Sequence, residues 1–236
     1  MIRAVTFDVW GTLLDLRAAR DIMVRAVSAG LNLDEAVVRR AVSEVDAEVR
    51  ALRKSGGLGG REAVEASRSL LASRLGVDAD RLANLIEDAI SSAPASIAFS
   101  DVAHVAELRE AGLRLAVVGN TLFWSSRATR AVLERVLPGA FEVMAFADET
   151  GRSKPDPAAF LRALEALGVQ PREAMHVGDR VDEDVGGALA SGMAAALIRR
   201  GLDVGPAALR PLRVALITSL GQVLWAVREL GGQDGV

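Results

Sequence analysis

The apolar positions change rhythm along the chain. Residues 2–8, Ile-Arg-Ala-Val-Thr-Phe-Asp, read as a short buried strand that ends at Asp8, and Gly11 permits a tight turn beyond it. From about residue 15 to 95 the pattern is helical. Between Asp34 and Lys54, the residues Val38, Val42, Val45, Val49 and Leu52 recur at spacings of four and three. Arg39, Arg40, Glu44, Asp46, Arg50 and Arg53 take other positions, which makes one apolar stripe on a charged helix. Gly56, Gly57, Gly59 and Gly60 break it. Helical segments over about 61–75 and 79–92 follow, the second with Leu82, Leu85, Ile86 and Ile90 on one face, and Pro94 ends the block.

From residue 96 onward, helices and strands alternate. Strands are predicted at 113–118, 142–147, 174–177, 194–198 and 213–217, and helices near 101–111, 124–136, 156–167, 182–191 and 219–229. Such alternation argues for a parallel sheet covered on both faces. The expected fold is α/β: a doubly wound, Rossmann-like parallel sheet built from residues 1–14 and 96–236. The all-helical stretch 15–95 reads as a cap domain inserted after the first strand.

Composition narrows the chemistry. The 236 residues are 50% hydrophobic and 25% charged, with a formal net charge of −3, which argues against nucleic acid as the main partner. There is no cysteine, so disulfides and thiolate metal sites are excluded. Two histidines, His104 and His176, are too few for a His-rich metal centre, and His176 lies inside a predicted strand as a core residue. No apolar run is long enough for a bilayer, and the first residues lack the features of a signal peptide, so no membrane partner and a cytoplasmic location are the default expectations. Only two lysines occur, Lys54 and Lys154, in a chain that otherwise uses arginine.

In open parallel sheets, ligands bind beyond the carboxyl ends of the strands. Four polar features stand at such ends: Asp8, then Gly119-Asn120-Thr121, then Lys154, then Gly178-Asp179. An aspartate at one strand end is ordinary turn or cap chemistry. A carboxylate, an amide, a cation and a second carboxylate on one edge are a site. Thr121 has two even readings, ligand donor or cap of the next helix. Asp182 and Glu183 are expected in solvent.

The segment Phe7-Asp8-Val9-Trp10-Gly11-Thr12-Leu13 resembles the first motif of the haloacid dehalogenase (HAD) superfamily. Val117-Val118-Gly119-Asn120 resembles the second, Ser153-Lys154-Pro155 the third, and Gly178-Asp179 with Asp184 the fourth. The helical insertion is similar to that family's C1 cap. The resemblance implies a hydrolase in which Asp8 is the nucleophile and forms a covalent aspartyl ester. It implies Mg²⁺ held by Asp8, the Trp10 backbone carbonyl, Asp179 and Asp184, since a hard cation relieves the repulsion among carboxylates and a phosphate. Lys154 would touch both the nucleophile and the bound anion. Trp10, Gly11, Asn120 and Thr121 would meet the substrate, a small phosphorylated molecule. The oligomeric state is left open.

Two positions depart from the family pattern. Trp10 stands where the phosphatases carry a second Asp, a general acid/base worth about 10²–10⁴-fold. Gly119 stands where a Ser or Thr hydroxyl is usual. These departures leave three alternatives beside the phosphatase: an L-2-haloacid dehalogenase-like enzyme, which has an aromatic residue at the Trp10 position; a phosphonatase-like enzyme using Lys54 for an imine; and a non-catalytic binding module.

Overall fold

A computed structural model describes residues 1–54 and 58–232. Seven strands form one sheet: β1 (Ala4–Phe7), β2 (Arg114–Gly119), β3 (Val143–Phe146), β4 (Ala174–Gly178), β5 (Ala194–Ile198), β6 (Ala207–Leu209) and β7 (Val214–Ile217), in the order β3-β2-β1-β4-β5-β7-β6. The pairings are parallel except for β6 against β7. The parallel sheet expected from the alternation is present, and β6 adds one antiparallel strand at its edge. β6 has three residues, two of them exposed, and so lacks the burial that marks the other strands.

Among the described residues, ten α-helices accompany the sheet. Four follow β1 within residues 15–95: α1 (Leu16–Leu31), α2 (Glu35–Lys54), α3 (Glu62–Leu75) and α4 (Ala79–Ser91). The rest are α5 (Val105–Glu110), α6 (Ser126–Val136), α7 (Ala147–Thr150), α8 (Pro157–Leu167), α9 (Gly187–Ala190) and α10 (Val223–Gly231). Local chemistry sets several starts. The Asp15 carboxylate accepts from the amides of Arg17 and Ala18 to begin α1. Asp156 caps α8, with Pro157 at its first position. Helix α2 follows the predicted valine stripe, and Val38, Val42, Val45 and Val49 are buried. Leu52, expected on that stripe, is exposed near the helix end.

Alternation along the strands sorts the core into two layers. Val5 and Phe7, Leu115 and Val117, Met175 and Val177 face one way. Ala4, Ala116, Val118, Ala174 and Ala195 face the other, toward Phe160 and Leu164 of α8. The first layer does not stop at the sheet. It runs on through Leu13, Phe123 and Trp124 into Val24, Val45, Leu82 and Ile86 of the helical segment, as one buried cluster. Among the described residues, no helix is long and apolar enough to cross a membrane.

Candidate active site

β1 lies between β2 and β4 at the centre of the sheet, and the register aligns Phe7 with both Val117 and Val177. The residues that follow these strands therefore arrive at one edge. Asp8 is the first residue past β1, and its amide donates to the Val177 carbonyl at 2.9 Å. Asn120 follows β2, and Asp179 follows β4. Lys154 comes from the loop between α7 and α8.

The Lys154 ammonium lies 2.6 Å from Asp8 Oδ1 and 2.7 Å from Asp184 Oδ1. Its side chain is 1% exposed, as is that of Asp184, while Asp8 is 13% exposed and faces the cavity. Asp8, Asp179 and Asp184 each bring a carboxylate oxygen within 4.8 Å of the others. Three carboxylates thus share one ammonium. Burial, together with Asp184 and Asp179, pushes Asp8 up to about 7 despite the opposing pull of Lys154. Asp179 is also raised, by burial and by Asp184. Burial would raise Asp184 as well, but Lys154 and His176 outweigh it and hold Asp184 below its ordinary range. Burial would lower Lys154, and Asp184 and Asp8 reverse that. The excess negative charge and the all-oxygen donor set fit a hard divalent cation.

The surrounding groups fix these side chains. Asn120 grips the Lys154 backbone twice: its Oδ1 accepts from the Lys154 amide at 2.8 Å, and its Nδ2 donates to the Lys154 carbonyl at 3.0 Å. Nδ2 also donates to Glu183 Oε2 at 3.1 Å, so the amide expected to meet a substrate is occupied by the protein's own groups. His176 is fully buried between Thr6 Oγ1, 2.8 Å from Nδ1, and Asp184 Oδ1, 3.2 Å from Nε2. It is a core residue, as expected, and it also orients Asp184; burial lowers its pKa. The pairing of Thr6 with His176, each two residues before a strand-end motif, was the available signal for this link. The Arg180 amide holds Asp184 Oδ2 at 2.9 Å. Gly178 makes that approach possible, because a Cβ there would lie 2.2 Å from Asp184 Cγ.

Other expected residues take varied places. The Gly11 amide donates to the Leu14 carbonyl at 2.7 Å, closing the turn after β1. Thr121 does not cap a helix, since α6 begins at Ser126. It is 4% exposed, and its hydroxyl has no hydrogen-bond partner among the described residues. Trp10 packs edge-on against Trp124 with centroids 5.1 Å apart, and its indole N–H donates to Thr129 Oγ1 at 3.3 Å. The Lys54 side chain lies outside the described residues.

Glu183 corrects the expectation of a solvated acid. The turn Val181–Gly186 is wide, with the Val185 amide reaching back five residues to the Arg180 carbonyl. That turn carries Glu183 inward, where it is buried, and leaves Asp182 exposed, as expected. A cavity of about 90 Å³ opens over Asp8, bounded by Trp10, Asn120, Thr121, Trp124, Asp179 and Glu183, with Arg20, Arg50 and Arg53 entering from α1 and α2. Arg50 and Arg53, which the sequence places on the charged side of α2, thus face the acidic turn after β4.

Residues 2–192 match the model of the haloacid dehalogenase-like hydrolases. A glyceraldehyde 3-phosphate phosphatase of Methanopyrus kandleri is 30% identical over 220 residues, which cover 85% of each chain. A phosphoserine phosphatase of Thermus thermophilus is 39% identical over 100 residues, 42% of this chain and 39% of the relative. The structure of an L-2-haloacid dehalogenase from Xanthobacter autotrophicus superposes with a TM-score of 0.72 at 24% identity, covering 99% of this chain and all of that one. At that identity the likeness speaks for the fold. A HAD phosphatase from Thermococcus onnurineus gives 0.66 at 24%, over the whole of both chains.

Proposed function

The chain belongs to the haloacid dehalogenase-like hydrolase family, and we propose that within it the protein is a Mg²⁺-dependent phosphatase of a small phosphorylated metabolite, with residues 15–95 as its cap. The observation that carries this reading is the cluster of Asp8, Asp179 and Asp184 around a single buried ammonium. A carbon–halogen hydrolase needs a nucleophilic carboxylate but has no use for two further carboxylates beside it. A phosphoryl acceptor site has such a use, because a divalent cation held by Asp8, Asp179, Asp184 and the Trp10 carbonyl neutralises charge on the transferring group.

The chain's own groups then have defined tasks. An Asp8 oxygen attacks phosphorus, a bond forms to it, the ester P–O bond breaks, and its electron pair leaves with the alkoxide oxygen. Lys154 keeps Asp8 oriented and balances charge on the phosphoryl oxygens. The unpartnered Thr121 hydroxyl donates to one of them, in place of the hydroxyl missing at Gly119. Water then attacks phosphorus, the bond from phosphorus to the Asp8 oxygen breaks, inorganic phosphate leaves with the water's oxygen, and a proton passes to solvent, which restores the Asp8 carboxylate. Trp10 supplies no acid, since its only polar hydrogen is committed to Thr129. The leaving group therefore departs without a protein acid from that position, which favours esters of acidic alcohols.

The aromatic wall of Trp10 and Trp124 favours one second reading, haloacid turnover, because halide departs without a proton. Phosphate release from p-nitrophenyl phosphate and chloride release from 2-chloropropionate, each with Mg²⁺ or EDTA, separate the two. Metal-dependent phosphate release is expected; metal-independent chloride release overturns the phosphatase reading.

A further inference from the structure

The cavity over Asp8 holds more cationic donor capacity than the chain itself uses. Arg50 and Arg53 reach it from α2, and Arg180 from the loop after β4. All three converge on Glu183, and none pairs with it closely. The separations are 3.5 Å from Arg50 Nη1, 3.7 Å from Arg180 Nε and 3.9 Å from Arg53 Nη2. A well-made guanidinium–carboxylate bond is about 2.7–2.9 Å. The short contact to Glu183 comes instead from Asn120 Nδ2.

Arg53 is the least satisfied. Arg50 has Asp46 behind it on α2, at 3.0 Å. Arg53 has Glu183 as its sole ion-pair partner among the described residues, its side chain is 7% exposed, and its Nε bonds to nothing described. Burial draws its pKa down against the pull of Glu183. A buried guanidinium with unspent donors costs stability, and an entering anion removes that cost.

Shape and position identify the anion. The protein's own carboxylate already stands where the three guanidiniums converge, so the seat has the size and charge of a carboxylate. It lies at the boundary of two cavities. Arg53 and Glu183 line the one of about 90 Å³ over Asp8 and also a second of about 530 Å³ beside Ser153 and Pro155. A phosphoryl group at Asp8 thus leaves its ester's other end beside Arg53.

We propose that Arg53, with Arg50 and Arg180, seats a carboxylate on the leaving group of the substrate, in competition with Glu183. This rests on the phosphatase reading and narrows it to small phosphate monoesters that carry a carboxylate.

The test is equilibrium binding, with Mg²⁺ present, to Asp8→Asn protein, which keeps the esters intact. The probes are 2-phosphoglycolate and its carboxylate-free counterpart glycerol 3-phosphate. The carboxylated ester is expected to bind at least about tenfold more tightly, the size of one charge-assisted hydrogen bond. Adding Arg53→Met is expected to abolish that ratio, and adding Glu183→Gln to widen it. A ratio near one in the Asp8→Asn protein overturns the seat without any second substitution, and so does a tenfold ratio that survives Arg53→Met. Failure of the parent reading looks different: wild-type protein then releases no phosphate from p-nitrophenyl phosphate, whatever the binding ratio.

Discussion

The ring of Phe146, at the end of β3, fills the space that a side chain at Gly119 would need: a Cβ there would lie 2.7 Å from Phe146 Cδ1 and Cε1. The missing hydroxyl of the second motif is therefore matched by a neighbour that occupies its volume. Restoring the family residue is expected to harm this protein. Gly119→Ser should lower stability by about 1–3 kcal/mol through overpacking, and Phe146→Leu in the same chain should recover part of it. Denaturant unfolding of the single and double variants checks both.

Lys154 separates two buried carboxylates that would otherwise face one another. Lys154→Met is expected to cost about 3–5 kcal/mol, the usual penalty for leaving buried charge unpaired, and to abolish turnover. Unfolding measured with and without Mg²⁺ tells the two effects apart, since the cation should return part of the stability and none of the activity.

Asp8 gives the metal-free protein a pH dependence of definite sign. Its folded pKa is raised to about 7, while an unfolded aspartate titrates near 4. Between those values the folded state holds a proton that the unfolded chain has lost, so this group's contribution to stability falls as pH rises through the window. In EDTA, the melting-temperature advantage of Asp8→Asn over wild type is expected to grow from pH 5 to pH 8. Mg²⁺ should erase that advantage. A flat difference across the range would assign the excess charge to another group.

Trp10→Asp returns the acid that the family's phosphatases carry. It also removes the contact with Trp124 and the bond to Thr129. Turnover of an alkyl phosphate is expected to rise relative to p-nitrophenyl phosphate by about tenfold or more, below the full 10²–10⁴ of a well-placed acid. Stability should fall by about 1–3 kcal/mol, less than for a fully buried aromatic, because Trp10 is only partly buried. An unchanged substrate ratio would mean that leaving-group protonation does not limit the reaction.

The strands that position the site were legible because each is a short, mostly apolar run closed by a polar residue. That pattern placed Asp8, Asn120 and Asp179 at one edge before any coordinates. β6 was not legible: three residues, two of them exposed, are too short to carry a burial pattern. The burial of Glu183 was not legible for a related reason. Charge predicts solvent only where no second charged element packs against it, and here α2 brings its arginines onto the acidic turn 181–186. The double grip of Asn120 on Lys154 spans 34 positions and depends on the path of a loop. No local periodicity encodes that path.

The buried cluster that runs from Phe7 and Val117 through Trp124 into Leu82 and Ile86 joins the inserted helices to the sheet as a single cooperative unit. Unfolding should proceed in one transition, because parting the insertion from the sheet would expose apolar surface on both. The same continuity divides the insertion's freedom to diverge. Its valine and leucine faces are tied to the sheet's own packing, whereas the arginines that overlook Asp8 stand outside that cluster and are held by ion pairs to Asp46 and Glu183. Substrate preference can therefore drift on one side of α2 while the other side holds the fold constant.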